Sequence, residues 1–238
     1  MEKRMDLEPR DRRLVICFPP AGGSEISFLE IFRECEDLHP RKMTYPGKGV
    51  AMASWAAAVA ASVNRATEEG APLLLGADLG ALAAFETAQF MQEQGFPPAG
   101  VVLLSSAAPH CHTWWHGSVW TDARLLELLH AGKGGAGVSF GSPAERERCL
   151  AAVRRDLEWV SGYRGPRHIP LVCPLTALRG EYDALVPGLA GTRDWSMWAR
   201  GDFATNTIPA GSHHFFTEPK GAAMVRDALR LTAPTAAA

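Results

Sequence analysis

Apolar and polar positions follow two rhythms along this chain. Short continuous apolar runs occur at Arg13–Phe18, Leu73–Leu75, Val101–Ser105, Pro174–Leu178 and Phe203–Ile208, and each predicts a buried strand. A further strand is predicted at about Arg41 to Tyr45, stopped by Pro46-Gly47. Between the strands the pattern turns helical. Trp55, Val59 and Val63 share one face of a helix over Ser54–Glu69, and an Ala-rich helix runs from the end of the Leu73 strand to about Gln94. Others are predicted from near Glu25 (N-capped by Ser24), over Pro187–Arg200 and over Glu218–Leu231, with a frayed tail after it. Such alternation with short connections implies an α/β fold: a mostly parallel central sheet with helices on both faces.

The rhythm breaks once. Between Ala107 and Pro166 no strand is evident, only a Trp- and His-rich loop, a short helix at Asp122–Leu129, a Gly-rich loop over Gly132–Gly141 and a longer helix over Pro143–Tyr163. An insertion after a sheet strand reads as a helical lid above the strands' carboxyl ends, where open α/β sheets bind ligands. The glycines of its loop read as a mobile hinge. The organisation expected is one domain over 1–238 with a lid at about 110–165.

Composition narrows the class. A net charge of -2 gives no reason to expect a nucleic acid or an anionic membrane as partner. No apolar run is long enough to span a bilayer, and the charged first residues lack a signal-peptide core. Five cysteines at irregular spacing read as reduced thiols of a cytoplasmic protein, neither a disulfide frame nor a metal site. Cys111-His112 and His116 suggest a metal only weakly, because no acidic partner lies near them in sequence. No cofactor is expected.

The most informative stretch is Leu75-Gly76-Ala77-Asp78-Leu79-Gly80, a strand, a Gly-flanked turn and a helix. This is the setting of a nucleophile elbow, which holds a reactive side chain above the sheet on a strained backbone. A Gly-flanked Asp is also an ordinary turn residue. With this stretch go Phe18-Pro19-Pro20-Ala21-Gly22-Gly23-Ser24, Tyr45-Pro46-Gly47-Lys48-Gly49 and Ser105-Ser106-Ala107-Ala108-Pro109-His110. Arg154-Arg155-Asp156-Leu157 with Tyr163, Pro174–Leu178 and His214-Phe215-Phe216 complete the series. In this order they resemble the type II thioesterases, stand-alone α/β-hydrolases that accompany polyketide synthases and nonribosomal peptide synthetases. The family's elbow reads Gly-His-Ser-Met-Gly, so both the His and the nucleophilic Ser are replaced here.

The resemblance implies an α/β-hydrolase fold and a site assembled in the order nucleophile, acid, His. On this chain those positions are Asp78, Asp183 after the Pro174–Leu178 strand, and His214 after the Phe203–Ile208 strand; the adjacent His213 reads as a bystander. Turn capping by Asp183 and a structural His214 are the alternatives. The resemblance puts the oxyanion donors at the N–H groups of Ala21 and Leu79. Pro20, Trp114, Trp115, Trp120 and Tyr163 are candidate walls of a substrate pocket, with lid core the alternative for the tryptophans. The implied substrate is a small molecule or an acyl group tethered to an acyl or peptidyl carrier protein.

Asp at the elbow changes the chemistry. A serine needs its proton removed before it attacks, whereas a carboxylate is already anionic at neutral pH. The expectation is a thioesterase-like hydrolase in which Asp78 attacks an acyl thioester, with His214 and Asp183 activating water afterwards. Two alternatives stand beside it: a cyclase, isomerase or lyase using Asp78 and His214 as general acid and base, and an inactive homologue that binds a carrier protein.

Overall fold

A computed structural model describes residues 12–23, 28–33, 35–66, 70–112, 119–134, 138–166, 169–186 and 188–232. Six strands form one fully parallel sheet: β1 (Arg13–Phe18), β2 (Leu38–Lys42), β3 (Leu73–Ala77), β4 (Gly100–Leu104), β5 (Leu175–Gly180) and β6 (Phe203–Ile208). Their spatial order is β2-β1-β3-β4-β5-β6. The chain first steps from β1 out to the β2 edge and then returns to lay β3 on the other side of β1. That reversal opens a crevice above the carboxyl ends of β1 and β3, where an open α/β sheet binds its ligand.

Side chains alternate across each strand, and both faces are buried, as a parallel sheet with helical crossovers requires. Ile16, Phe18, Leu74, Val101 and Leu103 point into the core shared with α2 (Met52–Ala66) and α3 (Leu79–Glu93). Val15, Cys17, Leu73, Leu75, Val102 and Leu104 point into the opposite core, closed by α1 (Leu29–Phe32) and α7 (Pro219–Thr232). α6 (Gly188–Arg193) passes into a 3₁₀ turn over Asp194–Trp198. Two glycines set how closely α3 approaches the sheet. A Cβ on Gly76 would run into the backbone of Gly80 and Ala81, and one on Gly80 into the carbonyl of Phe18. Their absence brings the start of α3 against the end of β1.

The expected alternation is present, with three differences of extent. β2 lies about three residues earlier than Arg41–Tyr45. Pro40 does not prevent this, because β2 is the sheet edge and pairs only with β1. Tyr45 instead turns inward and donates its hydroxyl to the Pro19 carbonyl at 2.5 Å. The helix expected over Pro187–Arg200 is one short helix followed by 3₁₀ structure. The third is the first helix, whose described part begins at Leu29; its expected cap, Ser24, lies outside the described residues, as do Trp114, Trp115, His116 and the tail after Thr232.

Two helices supply the described part of the inserted region, α4 (Asp122–Gly132) and α5 (Pro143–Val160). Thr121 caps α4 by accepting the Arg124 N–H, and Ser142 caps α5 by accepting the Glu145 N–H. Trp159, near the end of α5, stacks on Tyr45 at 4.9 Å and meets Trp55 of α2 edge-on at 5.2 Å. Its indole N–H donates to the Val50 carbonyl at 2.8 Å. This clip fixes the C-terminal half of α5 to the body. Among the described residues no helix is long and apolar enough to cross a membrane, and all five cysteines are free thiols.

Because Trp159 is almost fully buried in that clip, Trp159→Ala should cost about 3–5 kcal/mol of unfolding free energy. Trp159→Phe, which keeps the ring stacking and loses the hydrogen bond, should cost clearly less. Urea unfolding followed by circular dichroism reads both.

Candidate active site

The site grows from the junction of β3 and α3. Asp78 follows the last strand residue and has φ 54° and ψ -123°, a strained conformation for a residue with a Cβ. The strain points its carboxylate into a cavity of about 310 Å³ above the sheet. One oxygen of Asp78 accepts the Ala21 N–H at 3.2 Å. The other lies 3.9 Å from Nε2 of His213.

His213 comes from the loop between β6 and α7. Its Nδ1 lies 2.9 and 3.0 Å from the two oxygens of Asp183, whose side chain is fully buried in the loop after β5. Asp183 also accepts the N–H groups of Leu185 at 3.0 Å and Val186 at 3.1 Å. With Nδ1–H donating to Asp183, Nε2 is the nitrogen that faces Asp78. Carboxylate, imidazole and carboxylate therefore stand in one line, from a buried end to the cavity.

Electrostatics follow from this order. Burial alone would lower the His213 pKa, but the hydrogen bond and charge of Asp183, joined by the charge of Asp78, outweigh it and raise the value. Burial works to raise Asp183, yet His213 and the two backbone N–H groups hold it below the ordinary carboxylate range. Both shifts favour the charged form of the pair, with a carboxylate on either side of the imidazole.

His214, expected to be the base, is displaced from that position by its neighbour. Its ring makes no hydrogen bond to Asp183 or Asp78; it lies edge-on to His213 at 5.0 Å and to Phe216 at 5.9 Å. It also packs against Gly132 at the end of α4. Burial, with the positive charge of His213 second, drives its pKa down to about 4. The cause of the one-residue shift is local packing. Gly180, at the end of β5, leaves room for the carbonyls of Gly211 and Ser212, where a Cβ would collide with both. That contact, with the Ser105 hydroxyl donating to the His213 carbonyl at 2.5 Å, sets which imidazole turns toward Asp183.

Ser105 is itself notable. It directly follows β4 with φ 47°, is buried, lines the cavity, and ties the β4 end to the histidine loop. Its sequence reads as a plain strand end, and only the three-dimensional contact distinguishes it.

The expected oxyanion donors behave differently from each other. Leu79 opens α3, where a helix's first N–H groups lack intrahelical partners. The Ala21 N–H is turned onto the Asp78 carboxylate. Pro20 is buried beside it, accepts the Gly23 N–H at 2.8 Å and does not line the cavity.

Trp120 and Tyr163 are core residues rather than cavity walls. Tyr163 donates to Glu86 of α3 at 2.7 Å, both buried. Trp120 is buried beneath the Arg124 guanidinium, 4.9 Å from its ring centroid. The apolar wall comes instead from Leu128 and Leu129 of α4, Val153 and Leu157 of α5, and Leu185 and Val186 of the acid loop. α4 and α5 therefore roof the cavity.

One cluster invites a metal reading: donor atoms of His110, Cys111 and Asp194 lie within 4.8 Å of one another. The acidic partner missing from the sequence neighbourhood is thus supplied from 83 residues away. Hydrogen bonds account for the group. Trp198 donates its indole N–H to Nδ1 of His110 at 3.2 Å, so in the neutral ring Nε2 carries the proton and has no lone pair for a metal. Cys111 donates to Asp194 at 3.5 Å.

An elbow after β3, an acid after β5 and a histidine after β6, all above the carboxyl edge of a parallel sheet, define a site of the α/β-hydrolase type. A thioesterase domain model matches residues 13–228, and the chain belongs to the thioesterase family. It is 28% identical over 228 residues to thioesterase PikA5 of Streptomyces venezuelae, covering 90% of this chain and 79% of that protein. Among solved structures it resembles RedJ, a thioesterase from the prodiginine biosynthetic pathway in Streptomyces coelicolor. That match has a TM-score of 0.78 and 25% identity, over 92% of this chain and 90% of that one. The type II thioesterase BorB from the borrelidin biosynthetic cluster shares the fold, with a TM-score of 0.77 at 23% identity over 94% of each chain.

Asp183→Asn should leave the buried imidazole of His213 without its main counter-charge and lower its pKa below the wild-type value, read by NMR titration of the ring. Stability should fall by about 3–5 kcal/mol, the cost of breaking a buried pair. The gap between wild type and variant should be widest between about pH 4 and 6.5, above the unfolded carboxylate pKa and below that of unfolded His. It should narrow as pH rises through the raised pKa of His213, where the positive charge is lost, and also as pH falls through the depressed pKa of Asp183. Denaturant titrations across pH test the sign.

Proposed function

We propose that this protein hydrolyses acyl thioesters carried by the machinery of polyketide or nonribosomal peptide biosynthesis, with Asp78 as nucleophile and His213, held by Asp183, as its acid–base partner. The single observation that carries the reading is the line Asp183–His213–Asp78 ending in a roofed, largely apolar cavity. Membership of the thioesterase family, the likeness to thioesterase PikA5 and the biosynthetic setting of RedJ support the substrate class. A carrier protein is the natural source of such a substrate.

The proton balance suits a cationic His213. The Asp78 carboxylate attacks the thioester carbonyl while the Leu79 N–H and the imidazolium face the developing oxyanion. The C–S bond breaks, the departing thiolate takes the His213 Nε2 proton, and an acyl–Asp78 anhydride remains. His213, now neutral, removes a proton from water. Water adds to Cγ of Asp78, whose second oxygen already accepts the Ala21 N–H, so the new negative charge forms on an oxygen that already has a donor. Expulsion of the acyl group as its carboxylate leaves Asp78 as a carboxylic acid beside the recharged imidazolium, and passage of that remaining proton to the departing carboxylate or to solvent restores the Asp78 carboxylate.

The same Ala21 contact favours a second reading. If Asp78 keeps that donor occupied throughout, it acts as a general base on an acidic C–H or O–H of the substrate, in a cyclisation or isomerisation without hydrolysis.

Asp78→Asn should lower the hydrolysis of acyl-N-acetylcysteamine thioesters by about 10²–10⁴-fold. In a single wild-type turnover in heavy-oxygen water, label should appear in the Asp78 carboxylate, read by peptide mass spectrometry. Active enzyme with an unlabelled Asp78 would sink the mechanism of water adding to an Asp78 anhydride. Thioesters left intact by a protein that rearranges them would establish the second reading.

A further inference from the structure

The described contacts between the lid helix and the loop after β1 converge on a single glycine. Asp156 of α5 is 2% exposed, and one of its oxygens accepts the Gly22 N–H at 2.9 Å. Its other oxygen takes the Arg155 guanidinium, through Nε at 2.8 Å and Nη2 at 2.7 Å. Val153, one turn earlier on the same face, packs so closely on Gly22 that a Cβ there would overlap its methyl group. Gly22 has φ 67°, a conformation that suits glycine.

At its other end the loop is held by the body: the Tyr45 hydroxyl donates to the Pro19 carbonyl, and Gly80 packs against the backbone of Phe18 and Pro19. Ala21 lies between these two anchors, and its N–H holds the Asp78 carboxylate. The orientation of that N–H therefore depends on both anchors, and one of them belongs to the lid. A buried polar side chain needs partners, and Asp156 gives one oxygen to a loop N–H although α5 already packs well through Leu157 and Trp159. Packing alone does not call for it.

We propose that Asp156 is a positioning residue: through Gly22 it sets the Ala21 N–H against Asp78, and so couples the placement of the lid helix to the reacting carboxylate. Its consequence for turnover rests on the hydrolase reading above, whereas its structural content does not. With α5 seated as it is here the loop is complete, and displacement of α5 would leave Asp78 without its donor.

The test follows single-residue amide hydrogen exchange by NMR in the intact protein, alongside thioester hydrolysis. In Asp156→Ala, exchange at both Gly22 and Ala21 should rise at least tenfold, and kcat should fall by about 10- to 100-fold with KM changed less than about twofold. Asp156→Asn, which keeps an acceptor oxygen but loses the charge, should be intermediate in both. A folded Asp156→Ala protein whose Ala21 exchange matches wild type overturns the proposal, even where Gly22 loses protection. If Asp156→Ala does not fold, Asp156→Asn decides by the same criterion. Should no form hydrolyse a thioester, the hydrolase reading fails and the exchange data still judge the coupling.

Discussion

The contact between Asp183 and His213 is the constraint on which the rest of the site depends. Two ionisable groups are taken out of water there, which would cost several kcal/mol each if either stood alone. The cost is met by their mutual attraction and by two backbone N–H groups of the acid loop. Remove either partner and the other loses its main counter-charge while staying buried. Around this pair the fold commits three strand ends. β5 ends in Gly180, against which the histidine loop packs; Ser105 directly follows β4 and donates to the His213 carbonyl; Asp78 directly follows β3 and faces the imidazole.

Placing a carboxylate where a hydroxyl would stand alters that balance. A serine hydroxyl can donate to an imidazole, whereas a carboxylate can only accept. A carboxylate also carries two oxygens, and here they diverge, one toward His213 and one to Ala21. The second negative charge favours the cationic form of His213 at neutral pH. In the proposed hydrolysis a cationic His213 would begin as an acid rather than a base, and Asp78 as an anionic nucleophile would need no base at the first step. The replacement is therefore chemically coherent with its surroundings.

The sheet was largely legible from apolar runs, because a parallel strand covered on both faces cannot carry polar residues without leaving them unpaired. Asp78 and Asp183 were legible from their positions after strands. His213 was not, since the sequence around it offers two adjacent imidazoles and the loop's placement rests on packing against Gly180, far away in sequence. Trp120 takes the lid-core alternative, and Tyr163 is core rather than the expected cavity wall, for a related reason: aromatic composition marks a residue as well suited to burial but does not say into which core. Asp156 and Ser105 carried no local signal that separates them from a helix-face acid and a strand-end hydroxyl. β2 was misplaced because an edge strand tolerates Pro40, and its exposed residues lack the apolar run that marked the central strands.

The roof of the cavity is tied at two places to the body beneath it. α5 is held at its C-terminal end by Trp159 among Tyr45 and Trp55, and along its middle by Val153 and Asp156 on Gly22. Tyr45 takes part in both the clip and the loop anchor, because its ring stacks on Trp159 while its hydroxyl holds the Pro19 carbonyl. The same side chain thus joins the lid, the edge-strand connection and the loop beside the elbow. Packed contacts of this kind move as a unit or break, since close-packed interiors deform little. A substrate that displaces Val153 or Leu157 within the cavity must therefore also act on Gly22, and through it on the donor that faces Asp78.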